Sequence, residues 1–167
     1  MKQPFKRLMQ AYASQDHMEL NMLDRTVSQS ITHRNLVSLS PQATVLEAAR
    51  IMTKANTGSV LIMDISGELL GILTERDLMT RVLSKPLNPE LTSVAAVMTP
   101  KPHCITPEMT VSNAVLIMIE RGFRHLPITS VSGKVLGVFS VRDALPREIG
   151  EAVSLAEFLD QAGNTLA

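Results

Sequence analysis

The sequence Gly71-Ile72-Leu73-Thr74-Glu75-Arg76-Asp77 returns in closely similar form 66 positions later, as Gly137-Val138-Phe139-Ser140-Val141-Arg142-Asp143. The match extends upstream without a gap. Ten further residues recur at the same offset: Pro41, Thr44, Val45, Ala48, Ile51, Met52, Ile62, Ser66, Gly67 and Leu70 return as Pro107, Thr110, Val111, Ala114, Ile117, Met118, Ile128, Ser132, Gly133 and Leu136. A constant offset over this length indicates an internal structural repeat. Function is therefore expected in a pair of sites.

Proline positions and apolar spacing divide the chain into five segments. Residues 1–34 carry apolar side chains at helical spacing and predict one or two helices. Residues 35–84 form the first repeat, and a proline-containing linker follows at 85–102. The second repeat covers residues 103–146, and residues 147–167 predict a closing helix and tail.

Within each repeat the pattern predicts a helix, two strands and a second helix. Thr44 opens a capping box at the first helix, and the corresponding helix of the second repeat ends at Gly122. Short apolar runs separated by a Ser-Gly turn predict two buried strands. A final helix is expected to start at Thr74 or Ser140. Pro127 places its strand at a sheet edge, or at a point where no backbone N–H is needed.

Composition excludes several classes of function. The chain of 167 residues has 16 basic and 16 acidic side chains and a net charge of zero, which argues against nucleic acid or an anionic membrane as the main partner. The absence of an apolar run of about 18 residues, and of a signal-peptide core at the start, predicts a soluble cytoplasmic protein. A single cysteine, Cys104, cannot form an internal disulfide. The four histidines lack metal-ligand spacing and no phosphate-binding glycine motif is present, so neither a metal site nor a catalytic site is expected.

The order of these motifs resembles that of a known family. Ser-Pro-x-x-Thr-Val before the first helix, the Ser-Gly turn, and Gly-apolar-apolar-Thr/Ser-x-Arg-Asp resemble a tandem cystathionine-β-synthase (CBS) domain pair, the Bateman module. Val97-Met98-Thr99-Pro100 and Arg124-His125-Leu126-Pro127-Ile128 are also typical of that family. The resemblance covers about residues 35 to 146. It implies an α/β (α+β) fold of two β-α-β-β-α repeats related by pseudo-twofold symmetry, with N-terminal and C-terminal helices and two clefts often occupied by adenine nucleotides.

The repeated Thr/Ser-x-x-Asp motif carries the predicted site. Its residues are Thr74, Arg76, Asp77, Ser140, Arg142 and Asp143. The resemblance places the two aspartates at a ribose-binding position, where a carboxylate accepts hydrogen bonds from both vicinal hydroxyls. The hydroxyl residues and their helix N-termini can face a phosphate, and the arginines can pair with its oxygens. The same spacing is that of a capping box, so the alternative is that both aspartates only cap helices.

A second set of predicted contacts lies before the first helix of each repeat. Family ligands lie against this segment, which the resemblance places at Val37-Ser38-Leu39-Ser40 in the first repeat and at His103-Cys104-Ile105-Thr106 in the second. The predicted contacts within it are Leu39, Ser40, Ile105 and Thr106. The alternative is that the two apolar residues are simply part of the core.

The two repeats differ in charge just before the first long strand of each. The second repeat has Arg121, Arg124 and His125, where the first has Asn56, Gly58 and Ser59 at or near the equivalent positions. The resemblance implies that Arg124 and His125 reach ligand phosphates, so one cleft is expected to bind better. The alternative is a solvated helix end, because an arginine near a helix C-terminus is favourable without a ligand.

We therefore predict a regulatory protein that senses an adenine nucleotide (AMP, ATP or NAD(H)) between its repeats and signals to an effector protein that the sequence does not identify. No cofactor is required and no catalysis is expected. A homodimer is expected, because the helices that begin at Val45 and Val111 offer more apolar surface than two small sheets can cover. The alternative function is a structural dimerisation module with vestigial clefts, and an enzyme acting on a nucleotide ranks third.

Overall fold

The computed structural model describes residues 25–31 and 36–164. The elements of the first half are α1 (Val27–Ser30), β1 (Ser38–Leu39), α2 (Val45–Ala55), β2 (Ser59–Met63), β3 (Leu69–Thr74), α3 (Glu75–Asp77) with a π-helical continuation (Leu78–Leu83), a 3-10 turn (Val94–Ala96) and β4 (Thr99–Pro100). Those of the second half are α4 (Val111–Arg121), β5 (His125–Thr129), β6 (Val135–Ser140), a 3-10 turn (Val141–Asp143) and α5 (Pro146–Asn164). The chain is thus a mixed α+β protein. Of the N-terminal helices expected over residues 1–34, α1 lies in the described part, and residues 1–24 and 32–35 lie outside it.

The first repeat forms a four-stranded sheet in the order β1-β2-β3-β4, with β1 parallel to β2 and the other neighbours antiparallel. The predicted capping box starts α2, because the Glu47 N–H donates to Thr44 Oγ1 at 3.2 Å and the Thr44 N–H donates to the Glu47 carboxylate at 2.6 Å. Asn56 ends α2 with φ 50°, and Gly122 ends α4 with φ 68°. Both are residues that adopt the left-handed conformation at low cost.

The second repeat pairs β5 with β6, and Ile105 adds an isolated parallel bridge to Ile128 on the other side of β5. Pro127 explains why this pairing stays so short. In the first repeat the Leu61 N–H donates to the Val37 carbonyl at 3.0 Å. Pro127 stands at the position of Leu61 and has no N–H to donate. Strand β5 therefore has a neighbour on both sides, and Pro127 occupies a position where no backbone N–H is donated to that neighbour.

Among the residues that the structure describes, apolar side chains form three clusters. One lies inside the first repeat, between α2 and its sheet, and includes Val94 and Val97 of the predicted linker. The second lies inside the second repeat and also takes in Val27 of α1 and Ala152 of α5. The third lies where the two sheets face each other and consists of Leu61, Ile72 and Val135 with partly buried neighbours. The five segment boundaries drawn from the sequence stay a prediction.

The two repeats end differently. Thr74 caps α3 as predicted, whereas only one 3-10 turn follows Ser140 before the chain becomes extended at Ala144. Pro146 then starts α5, since proline favours extended backbone before it and suits the first turn of a helix. The closing helix thus takes the place of the second repeat's final helix. Within the described residues, no helix combines the length and the apolar character needed to cross a bilayer.

Candidate functional site

In the part of the chain that the structure describes, two clefts lie between the repeats, and each is built from both of them. We call them the Asp77 cleft and the Asp143 cleft. The Asp77 cleft is lined by Ile72, Thr74, Arg76, Asp77, Arg81, Thr99, Pro102, His103 and residues 121–125. The Asp143 cleft is lined by Leu36, Val37, residues 55–59, His125, Val138, Ser140, Arg142 and Asp143. Their volumes are about 230 Å³ and 480 Å³, respectively.

The linings correspond position by position. Apart from His125, every residue that lines the Asp143 cleft has its counterpart, 66 positions away, in the Asp77 cleft. The Thr/Ser-x-x-Asp motif of one repeat therefore faces the loop before the first long strand of the other repeat. As a result, the basic residues of the second repeat lie opposite Asp77 rather than Asp143. The structure brings Thr74, Arg76 and Asp77 together with Arg124 and His125 in one cleft.

Asp77 is held by protein groups on both carboxylate oxygens. Its Oδ2 accepts hydrogen bonds from the Thr74 N–H at 2.9 Å and the Thr74 hydroxyl at 2.7 Å. Its Oδ1 lies 3.2 Å from Arg81 Nη2. Arg81 also donates to the Val97 carbonyl at 2.8 Å and to Thr99 Oγ1 at 3.0 Å. The capping role weighed as an alternative is therefore present, and Asp77 is tied through Arg81 to the segment that leads to the second repeat.

The carboxylate of Asp143 has fewer protein contacts than that of Asp77. Its Oδ2 accepts from the Ser140 N–H at 2.7 Å, which is again a capping bond. Within the described part of the chain its Oδ1 has no hydrogen-bond partner. The backbone carbonyl of Asp143 accepts from Arg25 Nη2 at 2.8 Å. One carboxylate oxygen of this cleft is therefore open to a donor from a ligand.

Arg25 is itself fixed by a buried carboxylate. Its guanidinium donates to both oxygens of Glu148 at 3.1 Å, and Glu148 is 1% exposed. Glu148 also accepts from the Leu145 N–H at 2.6 Å, at the start of α5. The pair with Glu148 raises the pKa of Arg25 above its ordinary value. The ion pair thus joins the N-terminal segment, α5 and the backbone of Asp143.

The wall between the clefts is formed by His125, which lines both of them. A Cβ atom at Gly58 would lie 3.1 Å from the Cε1 and Nε2 atoms of this imidazole, so glycine leaves the space that the ring occupies. Burial, followed by the charges of Arg124 and Arg142, lowers the pKa of His125 to about 4, although Glu75 opposes the shift. The ring is therefore uncharged near neutral pH.

The remaining arginines give the Asp77 cleft its charge. Arg76 Nη1 donates to the Gly122 carbonyl at 3.0 Å and so crosses from the first repeat to the second. Arg121 and Arg124 are exposed at the other side of the cleft. Burial, with a smaller contribution from Arg121, lowers the pKa of His103. A cleft with this many guanidinium groups is suited to phosphate oxygens.

The four residues predicted before the first helices lie elsewhere. Leu39 and Ser40 line a separate shallow cavity beside Met63 and Asp64. Ile105 is 2% exposed and lies in the core, which is the alternative stated for it above. Thr106 is exposed and lines neither cleft. The clefts are lined by the first residue of each predicted segment, Val37 and His103, and by the residue just before it, Leu36 and Pro102. The spacing of the repeat carries the signal for them, because each pair differs by 66.

Other chemistry has little support among the described residues. They contain no group of three or more His, Cys, Asp or Glu side chains that could hold a metal ion. Burial raises the pKa of the Cys104 thiol, which is the opposite of what a reactive thiolate requires.

Comparison with known proteins identifies relatives along most of the chain. The CBS domain family matches residues 27–84 and 94–148. An uncharacterized protein of Methanopyrus kandleri is 34% identical over 118 residues, which cover 71% of this chain and 60% of that protein. An uncharacterized protein of Acidianus ambivalens is 36% identical over 117 residues, covering 70% and 69%. A CBS domain-containing protein of Arabidopsis thaliana is 33% identical over 144 residues, and the match covers 86% of this chain but 26% of that protein.

Solved structures share the fold. A putative signal-transduction protein with CBS domains from Burkholderia ambifaria has a TM-score of 0.67 and 27% identity, with 71% of this chain and 90% of that chain covered. A CBS domain protein of Pyrobaculum aerophilum, complexed with AMP, has a TM-score of 0.70 and 21% identity, with 78% and 99% covered. A CBS domain pair in complex with 5′-methylthioadenosine and S-adenosyl-L-methionine has a TM-score of 0.64 and 20% identity, with 72% and 92% covered.

Proposed function

Because the chain belongs to the CBS domain family, we propose that it is a regulatory protein that senses an adenine nucleotide between its repeats and signals the occupancy to an effector protein. The observation that carries this proposal is the composition of the clefts. In each of them the Thr/Ser-x-x-Asp motif of one repeat faces a loop of the other. A ligand bound there contacts both repeats at once, so its binding energy can alter how the repeats are arranged.

The Asp77 cleft supplies a group for each part of a nucleotide. The carboxylate of Asp77 can accept hydrogen bonds from the ribose hydroxyls if its contact with Arg81 breaks when the ligand binds. Arg124 lies across the cleft, where it can reach phosphate oxygens. His125 is uncharged near pH 7 and can present either a donor or an acceptor to the ligand. AMP, ATP and NAD(H) all contain the adenosine phosphate that this arrangement fits.

The solved relatives support a ligand of this class. One was obtained with AMP and another with 5′-methylthioadenosine and S-adenosyl-L-methionine, and all three compounds contain an adenosine unit. These proteins share the fold at about one-fifth sequence identity, so the ligand of the present chain has to be established on the chain itself. The match to the Methanopyrus kandleri protein also covers only 60% of that protein.

Signalling requires two states of the pair that bind the ligand unequally. The hydrogen bond from Arg76 to the Gly122 carbonyl crosses the Asp77 cleft and joins the repeats. A phosphate that attracts Arg76 competes with this bond. Occupancy is therefore expected to exchange a contact between repeats for a contact with the ligand, which provides the difference in energy between the two states.

We also propose that the protein forms a homodimer. The exposed large apolar side chains include Met79, Leu83, Leu87 and Leu91 after α3, and Ile119, Phe123, Val153 and Phe158 on or beside α4 and α5. An interface between two chains would cover such side chains. Sedimentation at micromolar concentration tests the dimer, and a purely monomeric species would contradict it.

The experiment that tests the sensing function is a melting curve with and without AMP. A ligand that binds only the folded state adds about 2.7 kcal/mol to the free energy of unfolding at 100 times its Kd. The double variant Asp77→Asn/Asp143→Asn keeps a capping oxygen at each site and should lose this increase. Asp160→Ala, an exposed aspartate of α5 outside both clefts, is the control that should keep it.

The alternative function, a dimerisation module with vestigial clefts, is favoured by one observation. Both aspartates already cap their own turns, and Asp77 is paired with Arg81, so neither carboxylate requires a ligand. That alternative expects an intact dimer with no response to any adenine nucleotide. An unchanged melting temperature with AMP, ATP and NADH would therefore replace the sensing function with the structural one.

A further inference from the structure

The two clefts differ in the charge of their linings as well as in volume. Four arginines and one aspartate line the Asp77 cleft: Arg76, Arg81, Arg121, Arg124 and Asp77. Among the described residues that line the Asp143 cleft, the charged side chains are Arg142 and Asp143. His125 belongs to both clefts and is uncharged near neutral pH, so it does not alter the difference. Arg25, which reaches the Asp143 backbone, forms its ion pair with Glu148 and is also attracted by the charge of Asp143.

This difference decides where a phosphate group can bind. A phosphate that enters a cleft loses hydration, and the loss is costly unless cations and hydrogen-bond donors replace the water. Arginines supply both in the Asp77 cleft. In the Asp143 cleft, Arg142 is opposed by a carboxylate whose Oδ1 has no partner among the described residues and would repel an anion. The Asp143 cleft therefore disfavours a phosphorylated ligand.

The same features suit an uncharged ligand with hydroxyl groups. The open Oδ1 of Asp143 can accept a hydrogen bond from a ribose hydroxyl. The facing loop offers neutral polar side chains at Asn56, Thr57 and Ser59. Ser59 is 3% exposed, and its buried hydroxyl has no hydrogen-bond partner among the described residues. The cleft volume of about 480 Å³ is twice that of its counterpart.

We infer that the two clefts take ligands of different charge: the Asp77 cleft binds an adenine nucleotide that carries phosphate, and the Asp143 cleft binds an adenosine derivative that carries none. This inference rests on the proposed sensing function and assigns a ligand class to each cleft. The protein then reads two compounds of one chemical family at once. Because His125 lines both clefts, the two ligands contact the same imidazole ring.

Calorimetry on the full chain tests the assignment with AMP and adenosine as probes. AMP should bind with a stoichiometry of one per chain. Protein saturated with AMP should then bind adenosine, again at one per chain, because the Asp143 cleft is still empty. The variant Asp143→Asn keeps the capping oxygen and should lose this second event while AMP binds as before.

A reciprocal pair of variants exchanges the charge of the two clefts. Arg121 and Ala55 occupy equivalent positions, each exposed at the end of its helix. Arg121→Ala should weaken AMP binding about tenfold, the usual loss for one charged hydrogen bond, and leave the adenosine event unchanged. Ala55→Arg should let AMP compete for the second cleft and raise its stoichiometry towards two per chain.

The possible outcomes separate the inference from the function on which it rests. Wild-type protein that binds two AMP molecules with equal affinity, or that binds AMP but no further adenosine, overturns the inference and leaves nucleotide sensing intact. Loss of AMP binding in Asp143→Asn also overturns it. Wild-type protein that binds neither probe overturns the proposed function itself.

Discussion

The Asp77 cleft and the Asp143 cleft have similar side chains in the motif that ends in the aspartate and different side chains in the loop that faces it. Thr74, Arg76 and Asp77 correspond to Ser140, Arg142 and Asp143, so the strand-to-helix motif is nearly unchanged. The facing loops differ at every position, since residues 55–59 read Ala-Asn-Thr-Gly-Ser and residues 121–125 read Arg-Gly-Phe-Arg-His. The capping motif therefore serves local structure in both repeats, whereas the opposite loop sets the charge of each cleft.

The repeats also differ in how each aspartate is anchored. Arg81 holds Asp77 by its side chain and is 38% exposed. Asp143 is held by its backbone carbonyl, through Arg25 and the buried Glu148. Glu148 stands 66 positions after Val82, so an ion pair in the second repeat replaces an apolar contact in the first.

The largest effect is expected from breaking this ion pair. Arg25→Ala removes the guanidinium that contacts both oxygens of the buried Glu148 carboxylate and should lower the free energy of unfolding by about 3–5 kcal/mol. Arg81→Ala removes a partner that is 38% exposed, while Asp77 keeps both bonds from Thr74, and should cost less, about 1–2 kcal/mol. Denaturant titration of the two variants measures the contrast. Adding Glu148→Gln to Arg25→Ala should recover part of the loss, and equal costs for the two arginines would contradict this account.

The next effect concerns pH. The pKa of His125 is lowered from 6.5 to about 4 in the folded protein. Below pH 6.5 the unfolded chain binds a proton at His125 that the folded protein does not bind until about pH 4. Stability therefore falls as the pH falls through this window, by about 3 kcal/mol in total.

Variants at two histidines isolate this contribution. His125→Asn should flatten the loss of unfolding free energy between pH 6.5 and pH 4 in denaturant titrations. His103→Asn should flatten it less, because the pKa of His103 is lowered by a smaller burial. If His125→Asn keeps the wild-type pH dependence, the ring is not held uncharged between the clefts.

A smaller effect is expected in binding. Arg124 faces Asp77, and the equivalent position in the other cleft is Gly58. Arg124→Ala should weaken AMP binding by about tenfold or more, because a charged hydrogen bond contributes about 1.5 to 3 kcal/mol. Adenosine, which has no phosphate, should bind nearly as before. Arg50→Ala, on the exposed side of α2, is the control, and equal losses for AMP and adenosine would mean a general defect.

The smallest effect concerns Pro127. Pro127→Ala restores an N–H at the position where Leu61 donates to the Val37 carbonyl in the first repeat. The new amide should donate to the His103 carbonyl and show protection in hydrogen exchange. A gain of about 0.5–1.5 kcal/mol from the hydrogen bond is offset by the greater entropy of the unfolded chain, so the net change in stability should stay below about 1 kcal/mol. A freely exchanging amide would contradict the correspondence between the repeats.

Local patterns predicted most of the elements because each is set by neighbouring residues. The capping box at Thr44, the stop at Gly122 and the paired strands of each repeat depend on a few adjacent side chains. The fold class followed from the repeat and from the resemblance it carries. The arrangement of the clefts could not be predicted from the repeat, because a constant offset does not reveal which motif faces which loop.

The parts that differ from expectation depend on contacts distant along the chain. Leu39 and Ile105 were predicted as ligand contacts, but Leu39 lines a separate cavity and Ile105 lies in the core. Of their two segments, the first residues, Val37 and His103, line the clefts. The missing final helix of the second repeat has a similar origin, since α5 packs against α4 and contributes to the second core. Arg81 gave no signal, because its partners Val97 and Thr99 lie in the predicted linker.

The ion pair between Arg25 and Glu148 joins residues 123 positions apart, and this separation has a consequence for the order of folding. The core of the first repeat draws on residues 37 to 98 and is contiguous along the chain. The core of the second repeat needs Val27 and Ile31 from before the first repeat, together with α5 from the far end. Contacts at such separation form late, because the entropy of closing the long loop must be overcome first. During synthesis the first repeat should therefore fold as an insert within a second repeat that is still incomplete.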